Sequence, residues 1–315
     1  MTDCSNKYKI LQTLGQGSSS EVYLAEDKEH NIFVLKYCNM QDQNKWLQEC
    51  QKEITITSAL SKHPQNYDFP ISHMENINGE NVMISTFIQG RELSKEILDN
   101  LPDKQQKQIA EDMAQFLYHL HNQDISFYQA NSSSHSLSIF NGKGTLLKEK
   151  MDMLPANVQE QVTQIISDFD KDTNYGKTSV ICHNDLIKDN ILFNQSSQKL
   201  SVIDFGDIKK NDIYTDFAYL MRAGQLGDNF GIKVIDAYNL ICRKHHSNIY
   251  INPHTAKKLA VLLSLKKIKN TDNNHNPERA RFISYLQEYQ TNKASGLYKT
   301  KNLTYYKQKQ NSMPH

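Results

Sequence analysis

Short apolar runs separated by polar turns fill the first part of the chain, and longer runs with helical spacing fill most of the remainder. The early runs are bounded by turn residues, which is typical of β-strands. We therefore predict five strands, over residues 8–15, 20–27, 32–36, 71–77 and 81–88. Trp46, Cys50 and Ile54 recur near helical spacing, and they predict one helix over 42–61, between the third and fourth strands.

The pattern becomes helical in the second part of the chain. It predicts helices over residues 102–122, 155–169, 212–221, 228–243, 254–269 and 277–290. A small lobe of strands would thus occupy residues 1–88 and a larger helical lobe residues 89–292, with a hinge at about 85–90. Residues 293–315 are rich in Lys, Tyr and Asn, and we predict a basic, flexible tail there.

The bulk composition is that of an ordinary soluble protein, with 38% hydrophobic and 23% charged residues. No apolar stretch is long enough to span a bilayer, and the N-terminus lacks the apolar core of a signal peptide. The five cysteines are scattered and form no C-x-x-C pair, which argues against a disulfide framework or a structural zinc site. We therefore expect free thiols, a buried Cys182 and a cytoplasmic protein.

One stretch, over residues 183–193 and 202–207, combines polar side chains with two apolar runs. A hairpin formed by the two runs would bring Asp185, Asn190 and Asp204 to one edge. In phosphoryl transfer, one carboxylate orients or deprotonates the attacking hydroxyl, while an amide and a second carboxylate hold Mg²⁺. The spacing matches the kinase catalytic loop and the Asp-Phe-Gly element. We predict that Asp185 is catalytic and that Asn190 and Asp204 bind Mg²⁺; the alternative is a polar hairpin turn without chemistry.

Candidate nucleotide-binding residues precede this stretch. The segment Gly15-Gln16-Gly17-Ser18-Ser19-Ser20 lies between the first two strands and follows the G-x-G-x-x-G-x-V pattern, with Ser20 in place of the third glycine. Its glycines let backbone N–H groups approach phosphates, and its three serines can add hydroxyl donors. Lys36 ends the third strand, where a lysine can bind the α- and β-phosphates of a nucleotide.

A glutamate on the predicted helix would pair with Lys36 and hold it toward the phosphates. Glu53 fits this position best, and Glu49, one turn earlier, is the alternative. The fifth strand then leads into the hinge, whose backbone would bond the purine edge. We place this purine-binding segment at Thr86, Phe87 and Ile88.

Two features separate the chain from a protein kinase. Ile187 stands two residues after Asp185, where the usual protein-kinase loop has a lysine. Only residues 205–215 lie between Asp204 and Asp216, which is too short for an activation segment with its anchor. A peptide substrate would lose its docking platform, so we expect a small acceptor held by the helical lobe.

Taken together, these motifs resemble the aminoglycoside phosphotransferase and choline kinase-like family over roughly residues 8 to 290. The resemblance lies in Gly15, Gly17, Lys36, Glu53, Phe87-Ile88-Gln89-Gly90, Leu120-His121, His183, Asp185, Asn190, Asp204 and Asp216-Phe217-Ala218. Cys182-His183-Asn184-Asp185 and residues 203–207 are most similar to the 2″-type aminoglycoside phosphotransferases. The resemblance implies an α+β, bilobal protein-kinase-like fold, with a five-stranded antiparallel N-lobe carrying one helix and a mainly helical C-lobe. It also implies Mg²⁺, ATP or GTP as phosphate donor, and an aminoglycoside as the first choice of acceptor.

The distribution of charge bears on the acceptor. Aminoglycosides are polycations, so their pocket should be lined with carboxylates, for which the candidates are Asp185, Asp207, Asp212, Asp216 and Asp228. Residues 251–315 instead carry a net charge of +9, against −8 for the first 250 residues. This basic region can face solvent or an anionic partner. The alternatives are a kinase of the choline, fructosamine or sugar type, a kinase for a macromolecule, and a nucleotide-binding scaffold without activity. ATP versus GTP and the oligomeric state stay open.

Overall fold

A computed structural model describes residues 7–17, 19–63, 65–124, 144–268 and 276–298 of the chain. The strands within these ranges are β1 (Tyr8–Gln16), β2 (Ser20–Asp27), β3 (Ile32–Cys38), β4 (Tyr67–Asp68), β5 (Ser72–Ile77), β6 (Glu80–Thr86), β7 (Arg91–Glu92), β8 (Ser179–Cys182), β9 (Ile191–Asn194), β10 (Lys199–Val202) and β11 (Lys209–Asp212). The helices are α1 (Gln43–Leu60), α2 (Lys95–Asn100), α3 (Asp103–His121), α4 (Gly144–Asp152), α5 (Ala156–Asp170), α6 (Tyr214–Met221), α7 (Asp228–Lys244), α8 (Pro253–Lys266) and α9 (Pro277–Ser295).

The five predicted strands form one antiparallel sheet in the order β1-β2-β3-β6-β5. Asp42 caps α1, because its side chain accepts a hydrogen bond from the backbone N–H of Lys45 at 3.0 Å. The face of α1 that includes Trp46, Cys50 and Glu53 is buried. The helical pattern predicted from the sequence is therefore present, and it carries a glutamate into the interior.

The chain crosses to the second lobe through residues 87–90, between β6 and β7. A Cβ atom at Gly90 would lie 3.0 Å from the Cβ of Leu192, which is closer than side chains normally approach. Glycine at position 90 thus lets the crossing strand lie directly on β9, with which β7 pairs. The crossing joins a four-stranded sheet in the order β4-β10-β9-β7, and this sheet supports the loop between the lobes.

The second lobe is built around helices whose apolar faces pack together. Helix α3 packs on α7, and α6 packs on α8. Their buried side chains belong to one large core, which also takes in Ile56 and Leu60 from the end of α1. The base of the small lobe is thereby fixed to the large one. Within the described ranges, none of the helices has the length and apolar character needed to cross a membrane.

The structure differs from the predicted elements in several places. The short elements β4, β7, β11, α2 and α4 were not predicted, because segments of this length carry too little periodicity to stand out. The helix predicted from residue 212 begins at Tyr214, because Asp212 belongs to β11. The last helix was expected to end at residue 290 but continues to Ser295, where Gly296 with φ of 80° ends it. Tyr298 beyond it is buried, so the ordered chain extends past the predicted start of the tail at residue 293. Residues 299–315 of that tail lie outside the described part.

Asp112 offers a test of the packing of α3. It is 4% exposed and accepts a hydrogen bond from Gln108 Nε2 at 3.0 Å. Burial raises its pKa to about 6, although the hydrogen bond acts in the opposite direction. The folded protein therefore binds this proton more tightly than the unfolded chain does, and the carboxylate destabilises the fold as the pH rises from about 4 to about 6.

We predict that Asp112→Asn increases the free energy of unfolding by about 2 kcal/mol at pH 8. The increase should largely disappear at pH 4, where the folded carboxyl is protonated and the unfolded one, with an ordinary pKa of about 4, is only about half ionised. Urea unfolding at the two pH values measures the difference. Asp103→Asn on the same helix is the control, because Asp103 is exposed and pairs with Lys233. An equal gain for Asp112→Asn at both pH values would contradict the prediction.

Candidate active site

The predicted hairpin brings its polar groups together at one edge. Strands β9 and β10 pair antiparallel, and the backbone N–H of Ile203 donates to the carbonyl of Asn190 at 2.9 Å. Asn190 and Asp204 both line one cleft between the lobes. Asn190 Nδ2 donates to the backbone oxygen of Asp185 at 2.9 Å and to its Oδ2 at 3.1 Å. Asp185 and Asn190 are thus in direct contact beside the cleft that Asp204 lines.

Asp216 holds the loop that carries Asp185. Its fully buried carboxylate accepts hydrogen bonds from the backbone N–H groups of His183 at 3.0 Å and Asn184 at 2.9 Å, and pairs with His121 Nε2 at 3.2 Å. Cys182 Sγ lies near these groups, but burial raises the pKa of its thiol well above the ordinary value. Because the carboxylate already serves three donors, we interpret this cluster as a structural anchor and not as a metal site.

Asn184 completes the anchor from the other side. Its φ of 64° lies in the left-handed region, which Asn adopts more readily than most residues. Its Nδ2 donates to the carbonyl oxygens of Cys182 at 2.8 Å and Lys209 at 3.1 Å, and its Oδ1 accepts from Asn211 Nδ2 at 2.6 Å. The loop is therefore bonded to both β8 and β11 immediately before Asp185.

The environment of Asp185 suits a group that accepts a proton. The side chain is half-buried, and this burial, followed by the nearby charge of Asp207, raises its pKa above the ordinary value. His183, Lys267 and Arg222 act in the opposite direction. A carboxylate with a raised pKa is a stronger base near neutral pH than an ordinary aspartate.

Lys36 joins the two lobes across the cleft. Its Nζ lies 3.3 Å from Oε2 of Glu53 in α1 and 3.5 Å from Oδ1 of Asp204 in the large lobe. Burial lowers the pKa of Lys36, but the two carboxylates outweigh it and raise the pKa to about 12. The ammonium is therefore charged at physiological pH. Of the two glutamates considered from the sequence, Glu53 contacts Lys36, whereas Glu49 is only partly buried and makes no ion pair within the described residues.

Asn190 and Asp204 have the chemistry of magnesium ligands. The Asn190 amide nitrogen is committed to Asp185, so its oxygen is the atom left to face the cleft. The Asp204 side chain is 57% exposed, and its backbone has a φ of 60°, a conformation that is uncommon for a non-glycine residue. Such backbone strain is often found at functional sites. Oxygen ligands of this kind, with water and phosphate oxygens, are what Mg²⁺ prefers.

The glycine-rich segment covers the cleft from above. Gly15 and Gly17 line the cleft, and the N–H of Gly17 donates to the carbonyl of Ser20 at 2.8 Å. Ser20 has a different position from the one predicted, because its buried hydroxyl accepts a hydrogen bond from Trp46 Nε1 at 2.9 Å. It therefore ties the segment to α1 and does not line the cleft. Ser19 does not line the cleft either, and Ser18 lies outside the described residues.

The cleft has a volume of about 420 Å³, which is within the usual range for small-molecule sites. Its apolar walls include Val22, Val34, Leu192 and Ile203, and Thr86, Phe87 and Ile88 border it, as predicted for the hinge. The N–H of Thr86 already donates to the carbonyl of Ile71 at 3.0 Å. In the described part of the chain, the backbone groups of Phe87 and Ile88 have no such backbone partner, so they are open to a ligand.

Three of the five carboxylates expected to receive a polycation are used inside the protein. Asp212 accepts hydrogen bonds from the N–H groups of Gly176 and Tyr214, and Asp216 anchors the catalytic loop. Asp228 is 4% exposed and pairs with Lys257 at 2.6 Å. Only Asp185 and Asp207 of the five remain open to an acceptor.

Sequence analysis missed several residues that shape this site. Trp46 was recognised only as a core residue, although it holds Ser20. Asn211 and Gln225 bond to the catalytic loop from segments distant in sequence. No local motif could have identified these contacts, because they depend on how separate elements pack.

A family model described as the phosphotransferase enzyme family matches residues 10–246 of this chain. The chain belongs to this family. It is therefore a phosphotransferase, as the catalytic stretch predicted, and the suspected resemblance is confirmed.

Solved structures confirm the bilobal kinase-like fold of this phosphotransferase. The GDP complex of aminoglycoside 2′-phosphotransferase-IIIa matches with a TM-score of 0.65 and 18% identity, over 90% of this chain and 94% of that one. The streptomycin–ATP–APH(2″)-IIa ternary complex matches with a TM-score of 0.60 and 21% identity, over 89% and 91%. Macrolide 2′-phosphotransferase MphH from Brachybacterium faecium matches with a TM-score of 0.59 and 13% identity, over 89% and 92%.

We predict that Glu53→Gln lowers kcat/KM for the nucleotide by about 10–100-fold, because Lys36 loses its buried counter-charge. Glu49→Gln is the matched control, since it removes a carboxylate one turn away on the same helix and should change kcat/KM by less than about twofold. Nucleotide-dependent turnover of the two variants measures the contrast. Equal losses in both would contradict the assignment of Glu53.

Proposed function

We propose that this phosphotransferase moves the γ-phosphate of ATP or GTP to a hydroxyl group of a small molecule. The observation that carries the proposal is the position of Asp185 and Asn190, in contact with each other, beside the cleft that Asp204 and Lys36 line. A general base, two oxygen ligands for a metal ion and a phosphate-binding lysine are thus arranged around one space. This is the set that phosphoryl transfer requires.

The nucleotide fits the cleft with its base toward the hinge. Val22, Val34 and Leu192 give apolar walls for a purine, and the open backbone groups of Phe87 and Ile88 can bond its edge. These groups suit either adenine or guanine, so both nucleotides are proposed donors. The backbone of residues 15–17 and the Lys36 ammonium then face the phosphates from above.

The chemical step assigns separate roles to the polar groups. Asp185 accepts the proton of the acceptor hydroxyl, and the hydroxyl oxygen forms a bond to the γ-phosphorus. At the same time, the bond from that phosphorus to the β–γ bridging oxygen breaks. Asn190 and Asp204 would hold Mg²⁺, which neutralises the charge on the β- and γ-phosphates when bound. Glu53 keeps Lys36 in place, and Asp216 positions Asp185 through the backbone of the loop.

The segment between Asp204 and Asp216 supports a small acceptor. It is occupied by a turn and by β11, which pairs antiparallel with β8. The segment is therefore used to fix the catalytic loop and is too short to form a docking platform for a peptide. The named ligands of the solved structures include kanamycin and streptomycin, which are small molecules, and this supports the same class for this chain. An aminoglycoside is therefore one acceptor to test, together with hydroxyl compounds of other charge, because only two of its five predicted carboxylates are open.

We predict that Asp185→Asn lowers phosphate transfer by about 10²–10⁴-fold, because the base is lost. The variant should still bind the nucleotide in the presence of Mg²⁺, as measured by the shift in its melting temperature. The assay follows ADP or GDP formation with a panel of hydroxyl acceptors and with water alone. Asp189→Asn is the matched control, because Asp189 lies exposed on the same loop and should leave turnover unchanged. Undiminished transfer by Asp185→Asn would refute the mechanism.

A further inference from the structure

A second pocket, of about 250 Å³, lies in the large lobe on the side of the catalytic loop. It is bordered by the segment after α6, the C-terminal end of α8 and the first turns of α9. Gln225 lines this pocket, and its Oε1 accepts a hydrogen bond from the backbone N–H of Lys188 at 2.8 Å. The pocket is thus joined to the loop that carries Asp185, and it is separate from the nucleotide cleft.

The charge of this pocket is positive. Arg222, Lys267 and Arg281 line it, and among its described lining residues Glu278 is the single acid. Lys267 follows the end of α8, where a cation also offsets the helix dipole. Arg281 packs beside Gly224. Arg222 stacks over the Tyr219 ring but has no carboxylate partner among the described residues.

Arg222 is a buried cation without a counter-charge. The residue is 8% exposed, and its guanidinium lies 4.9 Å from the centre of the Tyr219 ring. In the described part of the chain, no carboxylate oxygen lies within 4.0 Å of it. A buried charge is costly unless it is paired. An unpaired guanidinium at the wall of a pocket therefore indicates an anionic ligand.

Neighbouring buried lysines show that the same lobe normally pairs its charges. Lys257 is fully buried and contacts Asp228 Oδ1 at 2.6 Å. Lys258 is almost as buried and contacts Asp172 Oδ2 at 2.6 Å. The contrast with Arg222 separates a ligand-facing cation from the basic residues that only stabilise the helices.

The pocket is close enough to the catalytic group to hold part of an acceptor. Arg222, Ala223 and Gln225 form one wall of the pocket, and Gln225 bonds to the backbone of Lys188, three residues after Asp185 on the same loop. A molecule bound by the cations of the pocket would therefore lie beside the loop that carries Asp185.

We propose that the acceptor carries an anionic group, a phosphate or a carboxylate, which binds Arg222, Lys267 and Arg281 while its hydroxyl faces Asp185. The inference rests on the proposed phosphotransfer and names the class of acceptor. Guanidinium groups suit this role because they bind two oxygens of a phosphate or carboxylate at once. An aminoglycoside, which is a polycation, would be repelled from the same wall.

Anion binding to the enzyme loaded with a nucleotide analogue tests this proposal. A non-hydrolysable ATP or GTP analogue with Mg²⁺ first saturates the cleft, so that added anions cannot bind there. Inorganic phosphate, acetate and kanamycin are then titrated separately by calorimetry. We expect saturable binding of phosphate, acetate or both, and none of kanamycin. Arg222→Gln should lower the affinity for the anion by about tenfold or more, without changing the affinity for the analogue.

Two further variants keep the test decisive. Arg281→Gln removes an exposed cation of the pocket. It should lower the affinity for the anion even if Arg222→Gln folds poorly. Lys293→Gln removes one charge from the same helix away from the pocket, and should have no effect. Anion binding that neither pocket variant weakens, or kanamycin binding without anion binding, would overturn the inference. If the analogue binds but no anion does, the anionic acceptor is ruled out while the proposed function stands. If the analogue does not bind, the proposed function itself is contradicted.

Discussion

The carboxylate of Asp216 is the contact on which the geometry of the active site depends. It binds two consecutive backbone N–H groups at the start of the catalytic loop, and it pairs with His121 from α3. Three parts of the large lobe therefore meet at one buried charge. Without it, two buried N–H groups would lose their acceptor, and the loop would lose the fixed direction in which it presents Asp185. Asp216 belongs to the Asp216-Phe217-Ala218 motif, which the chain shares with its family. The partners of its carboxylate come from residues far apart in sequence.

Lys36 performs the corresponding task between the lobes. It contacts Glu53 of α1 on one side and Asp204 of the large lobe on the other, so one ammonium group holds strand β3, helix α1 and the loop after β10 together. The apolar end of α1 also enters the core of the large lobe. The relative position of the lobes is therefore set by an ion-pair network on one side of α1 and by hydrophobic packing on the other. Nucleotide phosphates would enter a space whose charges are already oriented.

Much of this arrangement could be predicted from the sequence. For each part that could not be predicted, there is a physical reason. The strands, the long helices and the hairpin of Asn190 and Asp204 could be predicted, because periodicity and motif spacing are local properties. Glu53 could be preferred but not chosen over Glu49, since the choice depends on which face of α1 is buried. Ser20 fitted a phosphate-loop pattern, yet its partner Trp46 lies on another element. Arg222 carried no signal at all, because an unpaired buried charge is visible only when its surroundings are known.

The close approach of Gly90 to Leu192 also brings the crossing between the lobes against one wall of the cleft. The crossing chain lies directly on β9, and the same strand leads back to Asn190 and contributes Leu192 to the cleft floor. A side chain at position 90 would meet Leu192 at 3.0 Å, so the crossing or the strand would have to shift. A residue with no side chain thus allows the contact between the hinge and the strand that leads to Asn190.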